Sequence, residues 1–268
     1  MNKPKPAPAK IQTNELKTRI IVGVILIAAA GLAVYFGGVF LWLLVVLMAL
    51  GIISEWANLT GRQENRKLAM YALSVPLAIM SPWAAGPSFL AFGLIMGAAM
   101  FVAAFDRSFK LATGIFYAGL PALAIVYLRE IDNGILIVFW TLALVWATDI
   151  GAYFSGRAIG GPKLAPKYSP NKTWAGLIGG VILTAAISYY LNLYWGLPFH
   201  FVILSLPLAI LAQIGDLFES GLKRKAGAKD SGTVFPGHGG VMDRLDGLIP
   251  VAPVVAGLML YENFQAAV

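Results

Sequence analysis

The chain has 268 residues, of which 59% are hydrophobic and 12% charged, and its mean hydropathy is +0.76. A soluble domain carries roughly 25% charged residues, so this composition excludes an ordinary soluble protein and points to an integral membrane protein. The net charge of +7 belongs to loops between apolar spans and is no nucleic-acid signal, while the absence of cysteine and the presence of only two histidines exclude disulfides, zinc–thiolate sites, thiol nucleophiles and a His-rich metal centre.

Residues 1–18 are rich in Lys and Pro and are expected to form a disordered basic tail. The apolar run after Arg19 is longer than the core of a signal peptide and leads into a second span, so it reads as an uncleaved first helix. Spans of about 20 apolar residues suit a hydrocarbon core of roughly 30 Å. Nine candidates follow: 19–36, 39–59, 68–84, 87–105, 111–128, 134–153, 174–195, 199–219 and 248–265. Turn residues separate them, among them Gly37-Gly38, Ser81-Pro82, Asp132-Asn133-Gly134 and Gly196-Leu197-Pro198. The predicted fold is all-α and polytopic. It divides into the tail, membrane helices over 19–128, and a C-terminal catalytic region over 129–268 with loops 154–173 and 220–247.

Lys and Arg favour the cytoplasmic side of short loops. With the N-terminus inside, 19 of the 20 Lys and Arg residues fall on that side or at its boundary, and only Arg129 falls outside. The two long loops then face the cytoplasm. Along the early spans, Glu55-Trp56 reads as an interfacial pair that snorkels from the end of the second span. Asp106, Arg107, Glu130 and Asp132 read as ordinary loop charges. Trp140, Trp146, Trp174 and Trp195 read as interface or packing residues, and Gly176 with Gly179-Gly180 suits close helix contact.

The loop after the sixth span reads TDIGAYFSGRAIGGPKLAPKYSPNKTWAG, residues 148–176. Asp149 lies inside the span, and Tyr153 follows one turn later. Arg157, Lys163, Lys167 and Lys172 supply positive charge, Ser169-Pro170 makes a turn, and Thr173 suits a helix cap. A positive-inside loop explains the basic residues but not an acid within the span.

Residues 213–249 carry ten of the 33 charged side chains. A charge at membrane depth costs roughly 2.5–3.5 kcal/mol on insertion scales, so such a cluster beside apolar spans needs a function. If the eighth span continues helically, Asp216, Ser220 and Lys223 share one face, and Glu219 and Lys223 stand at i, i+4. Arg224, Lys229 and Asp230 follow. A Gly-rich turn holds His238, Gly239 and Gly240, and Asp243, Arg244 and Asp246 come next. Asp216, Asp243 and Asp246 would bracket the loop as ligands for a hard cation such as Mg²⁺, completed by substrate phosphates. The Gly turn brings backbone N–H groups toward an anion, and the Lys and Arg side chains neutralise phosphate. Anionic lipid head groups are the simpler partner for Lys223 and Lys225 alone, but they leave the three acids at span ends unexplained. His238 suits a structural turn, and Ser220 lacks the His–Asp arrangement of a nucleophile.

In order, Gln213-Ile-Gly-Asp216-Leu-Phe-Glu219, Ser220-Gly-Leu-Lys223-Arg224, Lys229-Asp230-Ser-Gly, Pro236-Gly-His238-Gly-Gly240 and Asp243-Arg244-Leu-Asp246 resemble the signature of the phosphatidate cytidylyltransferases, or CDP-diacylglycerol synthases. Asp149 through Arg157 and Ser169 through Trp174 resemble that family too. Ala175 stands where the family often has Glu. The resemblance implies transfer from CTP to phosphatidate in the bilayer, giving CDP-diacylglycerol and diphosphate, with Mg²⁺ and a set of acids compatible with a second cation. It implies catalytic roles for Asp216, Lys223, Arg224, Lys229, Asp230, His238, Asp243, Arg244 and Asp246. It implies substrate-binding roles for Asp149, Tyr153, Arg157, Ser169, Lys172, Thr173, Ser220, Gly239 and Gly240. The expected setting is a bacterial inner membrane with the site facing the cytoplasm. A homodimer is compatible, and no nucleic-acid partner is expected.

The two long loops are expected to pack together into one polar site open to the bilayer. Two other readings remain at this level. One is a related CTP-using lipid enzyme, such as a polyprenol kinase, which would release CDP, or a cytidylyltransferase for another lipid phosphate. The other is an ion-coupled transporter using Asp149 and Asp216 as cation ligands, which would show solute flux and no CTP turnover.

Overall fold

The computed structural model describes residues 13–235 and 239–267. Its helices are α1 (Thr13–Phe36), α2 (Gly38–Leu59), α3 (Arg66–Ile79), α4 (Phe89–Asp106), α5 (Phe109–Glu130), α6 (Gly134–Ile159), α7 (Trp174–Trp195), α8 (Phe199–Lys225), the single turn α9 (Met242–Leu245) and α10 (Leu248–Ala267). Six of them (α2, α4, α5, α6, α7 and α8) are long and apolar enough to cross a membrane. The apolar part of α1 among the described residues, Ile21–Phe36, is shorter. The protein is thus an all-α integral membrane protein.

α5 is the hub. It packs against α2, α3, α4, α6 and α10, and its small residues Gly114, Ala118, Gly119 and Ala122 let these neighbours approach. Leu111, Ile115 and Leu128 on the same helix are fully buried. α6 and α7 form a second tight pair. A Cβ on Gly151 would collide with the carbonyl of Gly179, and one on Gly180 would crowd the Thr148 carbonyl. Hydroxyls reinforce this seam. Thr148 and Thr184 lie 2.9 Å apart, and the Trp140 indole N–H donates to Ser188 Oγ at 2.9 Å. Polar groups away from water gain by finding partners of this kind. The expected packing role of Gly176 and Gly179-Gly180 therefore has a geometric basis.

Several helix ends differ from the sequence-based boundaries. α1 begins at Thr13, six residues before the expected start, because Thr-Asn-Glu-Leu-Lys combines a helix-start residue with strong helix formers. This shortens the expected disordered tail; residues 1–12 lie outside the described residues. α3 ends at Ile79 and not at residue 84. α6 continues to Ile159 and α8 to Lys225, so both helices carry their first polar residues beyond the apolar run. Gly196 closes α7 in the left-handed region at φ 73°, Leu197 N–H donates to the Leu191 carbonyl at 3.3 Å, and Pro198 follows. One feature was unexpected. Residues 163–165 (β1) and 169–173 (β2) pair antiparallel, with Lys163 opposite Thr173 and Ala165 opposite Ser169. Both strands are short and lack alternating β-branched residues, so periodicity does not reveal them.

Arg129, the residue that breaks the charge asymmetry, has a local task. Its Nε donates to the Val34 carbonyl at 2.6 Å and its Nη2 to the Tyr35 carbonyl at 3.1 Å. These carbonyls lie in the last turn of α1, where intrahelical partners run out and a cation is favoured. Asp106 also departs from its reading as an ordinary loop charge. It is buried, accepts from Asn65 Nδ2 at 2.6 Å and faces Arg62 at 3.5 Å.

Candidate active site

The helical continuation of α8 decides the site. Asp216, Glu219, Ser220 and Lys223 occupy its last turns, and α9 with the preceding loop folds back over them. Two linked groups of side chains result.

The first group locks the loop. Lys223 Nζ donates to Glu219 Oε1 at 3.1 Å, the expected i, i+4 pair, and to Asp243 Oδ1 at 2.6 Å. Asp243 Oδ2 accepts from Ser231 N–H at 2.8 Å, Ser231 Oγ at 2.9 Å and Gly240 N–H at 2.9 Å. Burial raises the Asp243 carboxyl, but the bonds from Lys223, Gly240 and Ser231 outweigh it and hold the pKa at about 2. Gly239 takes φ +83°, and a Cβ there would meet Asp243 Oδ2 at 2.7 Å. A Cβ on Gly240 would collide with Ser231 Oγ and Glu55 Oε2. The two glycines are thus required by the approach of backbone to carboxylate.

Glu55 completes this group and was not foreseen. The sequence reading placed Glu55-Trp56 at a membrane interface. Both are buried: Glu55 is 3% exposed and Trp56 5%. Glu55 accepts from Ser231 Oγ at 2.7 Å, Val241 N–H at 2.8 Å and Met242 N–H at 2.9 Å. Trp56 donates its indole N–H to the Lys110 carbonyl at 2.7 Å, stacks with Phe218 and packs at a tilt against Tyr117. A signal was present. Glu55 has no Lys or Arg within four residues on its helix, and an unpaired acid at the end of a span is a functional candidate by default. Ser231 ties the two carboxylates together. Its single hydroxyl proton serves either Glu55 or Asp243 at any instant, while its oxygen accepts from Asp243 N–H at 3.3 Å.

The second group gathers acids from three elements. Asp149 of α6, Asp216 of α8 and Asp246 after α9 are close enough to repel one another. Burial pushes the Asp246 carboxyl up, and repulsion from Asp216 and Asp149 adds to the shift. Lys172 of β2 forms an ion pair with Asp216. Ser220 Oγ donates to Asp216 Oδ1 at 3.3 Å, Gln213 Nε2 to Asp149 Oδ1 at 3.4 Å, and Gly247 N–H to Asp246 Oδ1 at 2.8 Å. Lys172 and Arg244 are the cations that face Asp149. The Lys172–Asp216 pair ties the 154–173 loop to α8, the helix that leads into 220–247. β2 explains how. The strand carries Lys172 into place, and Thr173 then caps α7 by accepting from Gly176 N–H at 3.0 Å.

The structure distributes the expected metal trio unevenly. Asp216 and Asp246 share the second group, whereas both oxygens of Asp243 are engaged in the first. Among the described residues no three His, Asp or Glu side chains converge on a point where they would hold a metal by themselves. Among the remaining candidates, Arg157 donates to Tyr153 Oη at 2.8 Å, and both side chains are exposed on the last turns of α6. Ser169 lies half-buried on β2. Arg224, Lys229 and Asp230 are exposed. His238 lies outside the described residues. Glu219, which the sequence reading gives as the partner of Lys223 and as part of the family-like run without a site role, is fully buried, and its Oε2, like the Tyr117 hydroxyl, has no hydrogen-bond partner among the described residues.

The arrangement is an acid cluster edged by lysine and arginine at the end of a membrane bundle, with no cysteine in the chain and no Ser–His pair among the described residues. It suits binding of phosphates and a hard cation better than covalent catalysis. Comparison with known proteins agrees. The Cytidylyltransferase family profile matches residues 17–261. The phosphatidate cytidylyltransferase of Brucella suis biovar 1 (strain 1330) is 38% identical over 253 residues, covering 90% of this chain and 92% of that protein. The phosphatidate cytidylyltransferase of Rickettsia typhi (strain ATCC VR-144 / Wilmington) is 31% identical over 268 residues, covering 97% of this chain and 98% of that protein. The phosphatidate cytidylyltransferase of Bacillus subtilis (strain 168) is 36% identical over 159 residues, or 58% of this chain and 59% of that protein.

Proposed function

The chain belongs to the cytidylyltransferase family, and from that premise we propose that it joins CTP to phosphatidate, forming CDP-diacylglycerol and diphosphate. The observation that carries this reading is the acid cluster of Asp149, Asp216 and Asp246 bordered by Lys172 and Arg244 at the ends of apolar helices. A water-soluble polyphosphate and a bilayer-bound lipid phosphate can meet there.

A phosphate oxygen of phosphatidate attacks the α-phosphorus of CTP. One P–O bond forms, the bond from that phosphorus to the β-phosphate oxygen breaks, and diphosphate leaves. Phosphatidate is already largely ionised near pH 7, so no strong base is needed. The protein's task is to position the reactants and offset their charge. Lys172 and Arg244 face the acid cluster and hold phosphate oxygens beside it. Arg157, Arg224 and Lys229 extend the positive border, and Tyr153 sets the angle of Arg157 through its hydrogen bond. Asp243, Lys223 and Ser231 hold the Gly239–Gly240 turn against α8. Ser169 and Asp230 flank the border, and Ser220 orients Asp216.

Three acids with two facing cations leave an excess of negative charge, which fits a bound Mg²⁺. Asp216 and Asp246 would hold it together with substrate phosphates, the usual mixed coordination of this ion. When bound, Mg²⁺ supplies charge neutralisation on the phosphates and orients the leaving group. We place α1, α3 and α10 with the six long apolar helices as nine spans. The 19-to-1 distribution of Lys and Arg supports a cytoplasmic N-terminus and site in a bacterial inner membrane.

The test uses purified protein, radiolabelled CTP, Mg²⁺ and a panel of lipid phosphates, followed by lipid extraction. Label in the lipid phase as CDP-diacylglycerol, with one diphosphate released per lipid, is the expected result. Release of CDP with a phosphorylated lipid would establish a kinase instead, and no CTP turnover would defeat both enzymatic readings.

A further inference from the structure

We propose that one acyl chain of the lipid phosphate occupies the apolar cavity between α1, α2 and α6, with Arg244 holding the phosphate at its mouth. The inference rests on the reading of the protein as a lipid-phosphate cytidylyltransferase and adds where the lipid lies.

The cavity measures about 320 Å³ and is lined by Gly23 and Ala30 of α1, Met48 of α2, Leu142 and Trp146 of α6, and Arg244. Its size falls in the range of ligand pockets. Among the described residues Arg244 is the one charged side chain in its lining. Arg244 sits on α9 between Asp243 and Asp246, the latter a member of the acid cluster, so it stands at the seam between a polar site and an apolar cavity. A lipid phosphate has this division of chemistry: an anion joined to hydrocarbon. Arg244 is exposed, and its guanidinium has no hydrogen bond or ion pair among the described residues, which leaves its planar fork free for phosphate oxygens.

The cavity continues. A neighbouring space of about 750 Å³ shares Ile27, Leu142 and Trp146 with it and reaches Asn133 and Gly134 at the start of α6. The passage therefore follows most of the length of α6, away from the acid cluster; it is apolar along Ile27, Leu142 and Phe139 and becomes polar only at its far end, where Arg129 and Asp132 line it. Small residues on α1 open it. Glycine and alanine on a membrane helix ordinarily bring helices together, yet a Cβ built on Gly31 meets nothing within 4 Å. Here they leave space. A second apolar cavity of about 440 Å³ lies between α4, α5 and α10, but among the described residues no charged side chain lines it, so it offers no cation to a phosphate.

Narrowing the passage should penalise long chains selectively. Ala30→Phe fills the cavity beside Arg244, and Gly31→Leu enters the neighbouring space from a position whose Cβ meets nothing within 4 Å. Ile25→Phe, at a lipid-exposed position on α1 outside the lining, serves as control. Each is assayed in micelles with dihexanoyl and dioleoyl phosphatidate at equal surface fraction. We expect kcat/KM for the dioleoyl lipid to fall about tenfold in the two filling variants, with the dihexanoyl value and the KM for CTP within about twofold of the unmodified protein. An unchanged long-to-short ratio in both variants would overturn the proposal. Photolabelling needs no turnover: a phosphatidate with a mid-chain diazirine should mark peptides of α1 and α6. Label confined to α4, α5 and α10 would overturn it equally. If the unmodified protein forms no CDP-lipid with either substrate, the parent reading fails, whichever helices are labelled.

Discussion

Truncating Glu55 isolates what the buried loop lock contributes. Its carboxylate satisfies two backbone amides, Val241 at 2.8 Å and Met242 at 2.9 Å, and the Ser231 hydroxyl at 2.7 Å. In Glu55→Ala the two amides lose their acceptor in a region closed to solvent. A buried donor left unpaired costs about 1–3 kcal/mol, so the closed loop should weaken by about 2–6 kcal/mol. The lower figure already shifts the closed-to-open ratio roughly 30-fold, since about 1.4 kcal/mol is a factor of ten. Glu55→Gln keeps one acceptor oxygen but turns an NH₂ toward donors, so it should fall between the two. Two assays follow the loop and the reaction separately: hydrogen exchange at Val241 and Met242, and steady-state kinetics with CTP and phosphatidate. We expect faster exchange at both amides in the order Ala, Gln, unmodified protein, and kcat/KM reduced by about tenfold or more in Glu55→Ala, while helical content and membrane insertion persist. Unaltered exchange and unaltered kinetics in Glu55→Ala would refute the reasoning.

Other substitutions separate the remaining roles. Asp216→Asn and Asp246→Asn should each raise the Mg²⁺ concentration for half-maximal activity and lower kcat by about 10²-fold or more, whereas Asp243→Asn should chiefly accelerate exchange across 239–243; the same Mg²⁺ dependence in all three would reject this division. Arg224→Lys and Arg244→Lys retain charge but lose the planar fork, so kcat/KM should fall if phosphate is gripped at two points, and unchanged kinetics in both would make them solvated charges. Asp243 has a pKa held at about 2, below the ordinary 3.8; its stabilising bonds are complete above the unfolded value and are lost as pH falls through the folded one. Corrected exchange protection at Ser231 and Gly240 should therefore be flat from about pH 8 to about pH 5, and a loss within that window would point away from Asp243.

Much of the α8 region is legible from spacing. Asp216, Ser220, Glu219 and Lys223 fall on related turns, and the helix ends after the charged run because nothing in that run breaks it. Thr173 is legible as a cap because its hydroxyl has an N–H three residues ahead to satisfy. Hydropathy locates apolar segments well, but it ends them too early at α6 and α8, where helices carry polar residues out of the bilayer. The roles of Asp243 and Asp246 are less legible. Their three-residue spacing suggests a common face, yet a four-residue helix lets one turn inward to Lys223 and the other toward Asp216. Glu55 is the hardest case, since no local pattern names a partner so distant in the chain.

That distance has a consequence in time. Glu55 and Ser231 are separated by 176 residues. At about 5–20 residues per second, α2 emerges roughly 10–35 s before its partners exist. Throughout that interval its carboxylate remains at the end of a helix with no donor from the loop. The loop lock forms only after α8 has been made and the turn beyond it has swung back to α2. Catalytic competence would then arrive as one of the last events of biogenesis, and an incomplete chain would be inserted but idle.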